Sequence, residues 1–157
     1  MLRHPKAVSV LDELATGAFR EVIDDPTGIE PARVNRVLLC SGQVYYDLLA
    51  AREERKIQNV AIARLEQIYP FPAEQLSDML SLYPQTADVM WVQEEPRNMG
   101  AWRFVQEQLQ PILDAYEGAE RVLHYAGRPA SASPSAGSLK RHQQEQAELI
   151  EEAFGAR

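Results

Sequence analysis

One cysteine, Cys40, stands in the whole 157-residue chain, so no internal disulfide framework can form. A reducing compartment suits such a chain better than secretion does. No apolar run reaches the ~20 residues needed to span a bilayer. The opening MLRHPKAVSV also lacks the apolar core of a secretory signal. Positive charge is in short supply: the formal net charge is −7 and the pI about 5.0. Such a surface field repels nucleic acid. Basic residues do cluster at Arg33 to Arg36, Arg52 to Lys56 and Lys140 to His142, but each cluster is short and interrupted. It reads as solvated helix and loop charge. His4, His124 and His142 are scattered, and one cysteine cannot build a structural zinc site. The chain carries no nucleophile elbow and no dinucleotide fingerprint.

What remains is an ordinary globular composition, with 45% hydrophobic and 25% charged residues. A chain of this length can bury a core as one domain. We read residues 1–157 as a single α/β domain, with residues 1–17 as a lead-in segment from an upstream domain. VSVLDELATGAF reads as a short helix leading into a strand around Phe19 to Ile23, and Pro26, Gly28 and Pro31 then punctuate a loop. From there strands and helices alternate. VNRVLLCSG, NVAIARLE, ADVMWVQEE and RVLHYAG have the apolar character of buried strands. Between and after them lie helical stretches at 43–56, 72–83, 98–116 and 138–154. Val44, Leu48 and Ala51 share a face of the first. Pro111 predicts a kink or restart in the third. Leu139, Leu149 and Phe154 are candidate core contacts in the last. Trp91, Trp102, Tyr45, Tyr46 and Tyr69 are expected to fill the core or an interface. Helices between strands force crossover connections, so the predicted fold is α/β. It has a mostly parallel sheet, helices on both faces and a possible antiparallel edge strand.

Ligands bind open parallel sheets outside the carboxyl ends of the strands, and polar residues gather there. Ser41-Gly42 stands at a strand-to-helix turn, where free N–H groups attract anions. It lacks the glycines and lysine of a phosphate loop, and a serine cap with a glycine turn explains it equally. Cys40 beside a helix start is either a thiol of lowered pKa or a buried structural one. Glu94 and Glu95 are adjacent carboxylates, and strand alternation sends them to opposite sides. They suit capping, or pairing with Arg64 or Arg128, better than joint acid/base work. Gly127-Arg128-Pro129, followed by ASASPSAG, is a loop of small residues with an arginine at its entrance. It could hold a phosphate or carboxylate, or pack flat against another protein surface. Ser41, Gly42, Arg64, Glu94, Glu95 and Arg128 together form the candidate anion or interface edge.

Five stretches in order carry a resemblance over essentially the whole chain: LRHPKAVS, LCSGQVYYDL, VAIARLEQIYPFP, WVQEEPRNMGAW, and YAGRPASASPSAG with a trailing H-x-x-E-Q. The chain resembles the C-terminal part of the decarboxylating component of 2-oxoglutarate dehydrogenase, within the transketolase-like superfamily. The resemblance implies a homodimeric full-length enzyme of the tricarboxylic acid cycle. That enzyme decarboxylates 2-oxoglutarate and succinylates a lipoyl group, using thiamine diphosphate and magnesium held by upstream domains. It implies the dihydrolipoyl succinyltransferase and dihydrolipoyl dehydrogenase components as partners. The location would be the bacterial cytoplasm, or the mitochondrial matrix in a eukaryote. The fragment lacks a GDG-type metal–diphosphate motif. No catalytic, cofactor-binding or metal residue is therefore carried over, and the fragment alone is expected to be inactive, with an architectural and dimer-interface role. Neither nucleic acid nor membrane is expected as a partner. The alternative is a regulatory anion- or nucleotide-binding module.

Overall fold

The computed structural model describes residues 4–116 and 121–155; residues 1–3 of the expected lead-in lie outside these. After α1 (Leu11–Ala15) and β1 (Val22–Ile23), a 3-10 turn at Pro31–Arg33 precedes β2 (Arg36–Cys40). Then follow α2 (Val44–Arg55), β3 (Val60–Leu65), α3 (Ala73–Ser81), β4 (Asp88–Pro96), α4 (Trp102–Asp114), β5 (Leu123–Arg128) and α5 (Leu139–Phe154). The strand order is β1-β3-β2-β4-β5. The pairs β3–β2, β2–β4 and β4–β5 are parallel, and β1 runs antiparallel on β3. The α/β class, the parallel core and the antiparallel edge strand are as the alternation predicts.

Side chains alternate across the central strands and feed two cores. Val37, Leu39, Ala61, Ala63, Val89 and Trp91 face α3 and α4, where Leu76, Leu80, Val105 and Leu109 meet them. Leu38, Cys40, Ile62, Met90 and Val92 face α2 and α5, against Val44, Leu48, Leu149 and Ala153. Both faces of the sheet are covered, which is why Val37–Cys40 of β2 and Val89–Val92 of β4 are apolar and buried. Arg36 ties the last helix to the sheet's amino edge. Its guanidinium donates to the carbonyls of Ala153 and Gly155 at 3.0 and 2.8 Å. These are terminal carbonyls that helix α5 cannot satisfy itself.

Several details differ from the expectation. The edge strand begins at Val22 rather than Phe19 and ends at Ile23 as expected, and side chains take over the β3 edge after Ile23. The Asp25 carboxylate accepts the Ile62 N–H at 2.8 Å, and Arg52 donates to the Val60 carbonyl at 3.1 Å. The open edge of β3 is thus closed by an ion pair rather than by more backbone. Helix α4 begins at Trp102 rather than near Asn98. Gly100, at φ 66°, makes a turn there, and the Gln93 amide fills it. Gln93 accepts from the Trp102 N–H at 3.0 Å and donates to the Met99 carbonyl at 2.8 Å. Pro111 neither ends nor restarts α4. It and Glu107, whose carbonyl loses an N–H partner, are both exposed, so water can serve that carbonyl. Leu139 is 71% exposed and is no core contact; it stands in the first turn of α5, ahead of the packed half. Leu149 is buried and Phe154 packs beside it. Tyr69 is 81% exposed, unlike Tyr45, Tyr46, Trp91 and Trp102, which are buried.

Candidate functional site

The carboxyl ends of β4 and β5 open onto a cleft of about 600 Å³, lined by Glu94, Glu95, Arg128, His142 and the backbone-rich loop Pro134–Leu139. Each wall has a local cause. Glu94 and Glu95 both line the cleft. The register shifts between Gln93 and Pro96, and such an irregularity re-aims side chains. Arg128 closes β5. His142 and Glu145 come from the first turns of α5, one helical turn apart and hence on one face. Ser138 caps that helix, its Oγ accepting the Arg141 N–H at 3.2 Å.

The loop between β5 and α5 is held at one end by Asn98. Its side chain donates to the Ser131 carbonyl and accepts the Ser131 N–H, both at 2.9 Å. Further along, the Ser133 hydroxyl donates to the Ser135 carbonyl at 3.1 Å. The small side chains let the loop fold flat upon itself in this way. At Gly127, β5 passes so close to its neighbours that a Cβ would lie 2.4 Å from the Tyr125 hydroxyl and 2.9 Å from the Gln93 carbonyl.

Arg128 is buried and shared. Its Nη2 donates to His142 Nδ1 at 2.7 Å. Its Nε lies 3.6 Å from Glu145, too long for a hydrogen bond, and that N–H has no acceptor. Glu145 is bound more closely by Arg141, at 2.7 Å. Glu94 makes no ion pair among the described residues. Burial pushes its carboxyl above the usual range, Asp47 and Glu95 push the same way, and Arg128 and His142 oppose them. The cleft thus holds two carboxylates facing one arginine that is already engaged.

Three of the six expected edge residues converge here: Glu94, Glu95 and Arg128. Arg64 does not line the cleft. It sits on the β3 side, 3.5 Å from Glu66, with its guanidinium 4.5 Å from the Tyr45 ring centroid. The expected partnering of Glu94 or Glu95 with Arg64 or Arg128 is replaced by Glu66 and Glu145, which the helix and strand geometry place nearer. Ser41 and Gly42 form the β2–α2 turn outside the cleft. Gly42 has φ 78°, which explains the glycine. Cys40 is the buried thiol of the two readings. Its Sγ donates to the Ala63 carbonyl at 3.7 Å, and burial drives its pKa far upward. Residue-by-residue reading missed His142, Glu145 and Asn98. The H-x-x-E spacing in the sequence was the signal for the first two, since it puts both side chains on one helix face.

No group of three or more His, Cys, Asp or Glu side chains that could hold a metal ion occurs among the described residues. No helix among them is long and apolar enough to cross a membrane.

Residues 8–154 match the family described as 2-oxoglutarate dehydrogenase C-terminal. Over 154 residues the chain is 42% identical to the 2-oxoglutarate dehydrogenase E1 component of Azotobacter vinelandii. It is 45% identical to that of Cupriavidus necator over 154 residues and 46% to that of Haemophilus influenzae over 155. Each alignment covers 98% of this chain but 16% of the relative's length.

Proposed function

The chain belongs to the 2-oxoglutarate dehydrogenase C-terminal family, and from that premise we infer that it serves as the C-terminal architectural and dimer-interface domain of a 2-oxoglutarate dehydrogenase E1 component. The observation that carries this is the match of 98% of the chain to a 16% share of relatives bearing that name. The full-length polypeptide would then oxidatively decarboxylate 2-oxoglutarate and succinylate a lipoyl group in the tricarboxylic acid cycle. Thiamine diphosphate and magnesium would sit in its other domains. Its partners would be a second E1 copy and the dihydrolipoyl succinyltransferase and dihydrolipoyl dehydrogenase components, in the bacterial cytoplasm. The domain itself, residues 1–157 with 1–17 as lead-in, would contribute packing rather than a reacting group.

Two measurements test this. The isolated chain is titrated with thiamine diphosphate and magnesium by calorimetry, and 2-oxoglutarate-dependent release of carbon dioxide is assayed in the isolated chain and in the full-length protein. The expected result is activity in the full-length protein alone and no heat of binding to the chain. Micromolar thiamine diphosphate binding by the chain would sink the reading. A second reading, a regulatory anion-binding module, is favoured by one observation: Arg128 lines the cleft with an Nε–H that lacks an acceptor. Glu94 and Glu95 on the same walls oppose an anion. Calorimetry with inorganic phosphate and AMP separates the two readings.

A further inference from the structure

Arg128 meets His142 with its Nη2 at 2.7 Å from the imidazole Nδ1. A guanidinium can only donate, so Nδ1 must accept here. The imidazole is then neutral, with its proton on Nε2. A protonated imidazole donates from both nitrogens and accepts at neither. The contact and the protonated ring therefore exclude each other. Histidine is also the side chain whose charge ordinarily changes between about pH 5 and 8. Arg128 is buried but His142 is exposed, so a proton reaches the ring without any opening of the fold.

The contact ties the start of α5 to the end of β5. That start is poorly suited to a further positive charge. Lys140 and Arg141 already stand in the first turn of α5, and no acidic residue does. Cations are unfavourable at a helix N-terminus. Across the cleft stand Glu94 and Glu95 of β4. From α2, Asp47 faces the same helix, accepting from Gln146 Nε2 at 2.9 Å. Glu145 lies one residue short of a full turn beyond His142, and it gives a released Arg128 somewhere to go. The Arg128 Nε–H has no acceptor and lies 3.6 Å from that carboxylate.

We propose that the Arg128–His142 contact is a pH-operated latch on the start of α5, closed while the imidazole is neutral and opened when it takes a proton. On opening, Arg128 passes to Glu145 and stays against α5, deeper along the helix. The cationic ring is left facing Glu94 and Glu95. The loop at residues 129–138 and the first turn of α5 lose their tie to β5, while the packed half at Leu149 and Ala153 stays in place. The latch needs no ligand and no second chain.

The test is hydrogen–deuterium exchange in the full-length protein, read by mass spectrometry from about pH 8 to about pH 5 and corrected for the intrinsic pH dependence of exchange. Peptides covering residues 129–145 are expected to exchange several-fold faster at the acid end. Peptides around Asp25 and Arg52 are expected to stay unchanged. His142→Gln gives Arg128 a carbonyl acceptor that takes no proton, and should keep slow exchange throughout. His142→Lys supplies a permanent cation with no acceptor, and should exchange fast at both ends. No acid-dependent rise in the wild type overturns the proposal, and that result needs no variant to fold. An equal rise around Asp25 and Arg52 marks general loosening and overturns it as well. A rise of the same size in His142→Gln assigns the response to a carboxylate instead, and slow exchange in His142→Lys at neutral pH separates the contact from the motion; either result overturns the latch.

Discussion

Arg52 and Arg128 are both buried arginines paired with a carboxylate, at opposite corners of one sheet. Arg52 sits against the start of β3. It reaches Asp25, the Thr27 hydroxyl and the Val60 carbonyl. The Asp25 side chain is fully buried, and burial alone would raise its pKa. The hydrogen bonds from Arg52, Thr27 and Ile62 outweigh that and hold the carboxyl below its ordinary value. Arg128, at the end of β5, leaves one N–H without an acceptor and shares its carboxylate with Arg141. The first corner is a closed polar network. The second is an open one, beside a cleft and unmatched carboxylates. A closed network fixes a fold; an open one at a strand's carboxyl edge is where a neighbour can complete the set.

The largest expected effect falls on the closed corner. Arg52→Ala would leave Asp25 charged and buried with no counter-ion, and would uncover the β3 edge. A loss of ~3–5 kcal/mol is expected, read by denaturant unfolding at neutral pH. Asp25 has a depressed folded pKa, so its contribution is present above its ordinary value of 3.8 and lost as pH falls through the folded value. The gap between wild type and variant should therefore narrow in acid. A loss below ~1 kcal/mol at neutral pH would mean that water already serves Asp25, and the contrast with Arg128 would fail.

The open corner should respond less. Arg128→Ala removes the His142 contact at 2.7 Å but leaves Glu145 with Arg141. A cost of about 1–2 kcal/mol is expected for the chain by itself. In the full-length protein, assembly measured by sedimentation should weaken further if a neighbouring surface uses this edge. Equal losses at Arg52 and Arg128 would show that both corners hold the fold alike.

The contrast also explains what the sequence made legible. Apolar periodicity placed the parallel strands because buried strands must be apolar throughout, as Arg36–Cys40 is after its first residue. It could not place the Asp25–Arg52 lock, whose members lie 27 residues apart and look like loop and helix-surface charge. It overestimated β1 at its start, which is Val22 rather than Phe19. Three site residues converge as strand-end logic requires, while Arg64 and Ser41 stand aside. Strand order, with β3 and β2 farther from β5, decides that, and order is not written in local pattern. The register shift between Gln93 and Pro96 is likewise one that no spacing announces.

The smallest effect gives the finest test of the open corner. Glu94 has its carboxyl pKa raised by burial first and by Asp47 and Glu95 next, against Arg128 and His142. An acid whose folded pKa lies above its unfolded one is bound to its proton more tightly in the folded state. Its contribution to stability is present below the ordinary value of 4.5 and is lost as pH rises through the raised value. At neutral pH the ionised Glu94 therefore opposes folding. Glu94→Gln keeps the shape and removes the charge. A gain of at most ~1 kcal/mol is expected at neutral pH, because partial exposure and solvent screening limit the effect. Below the ordinary carboxyl range the two proteins should unfold at the same temperature. Thermal unfolding across that pH span checks both statements. If Glu94→Gln is instead less stable at neutral pH, the carboxylate is satisfied within the cleft as Asp25 is within its lock. Arg128 would then belong to a closed network, and the two corners would differ only in position.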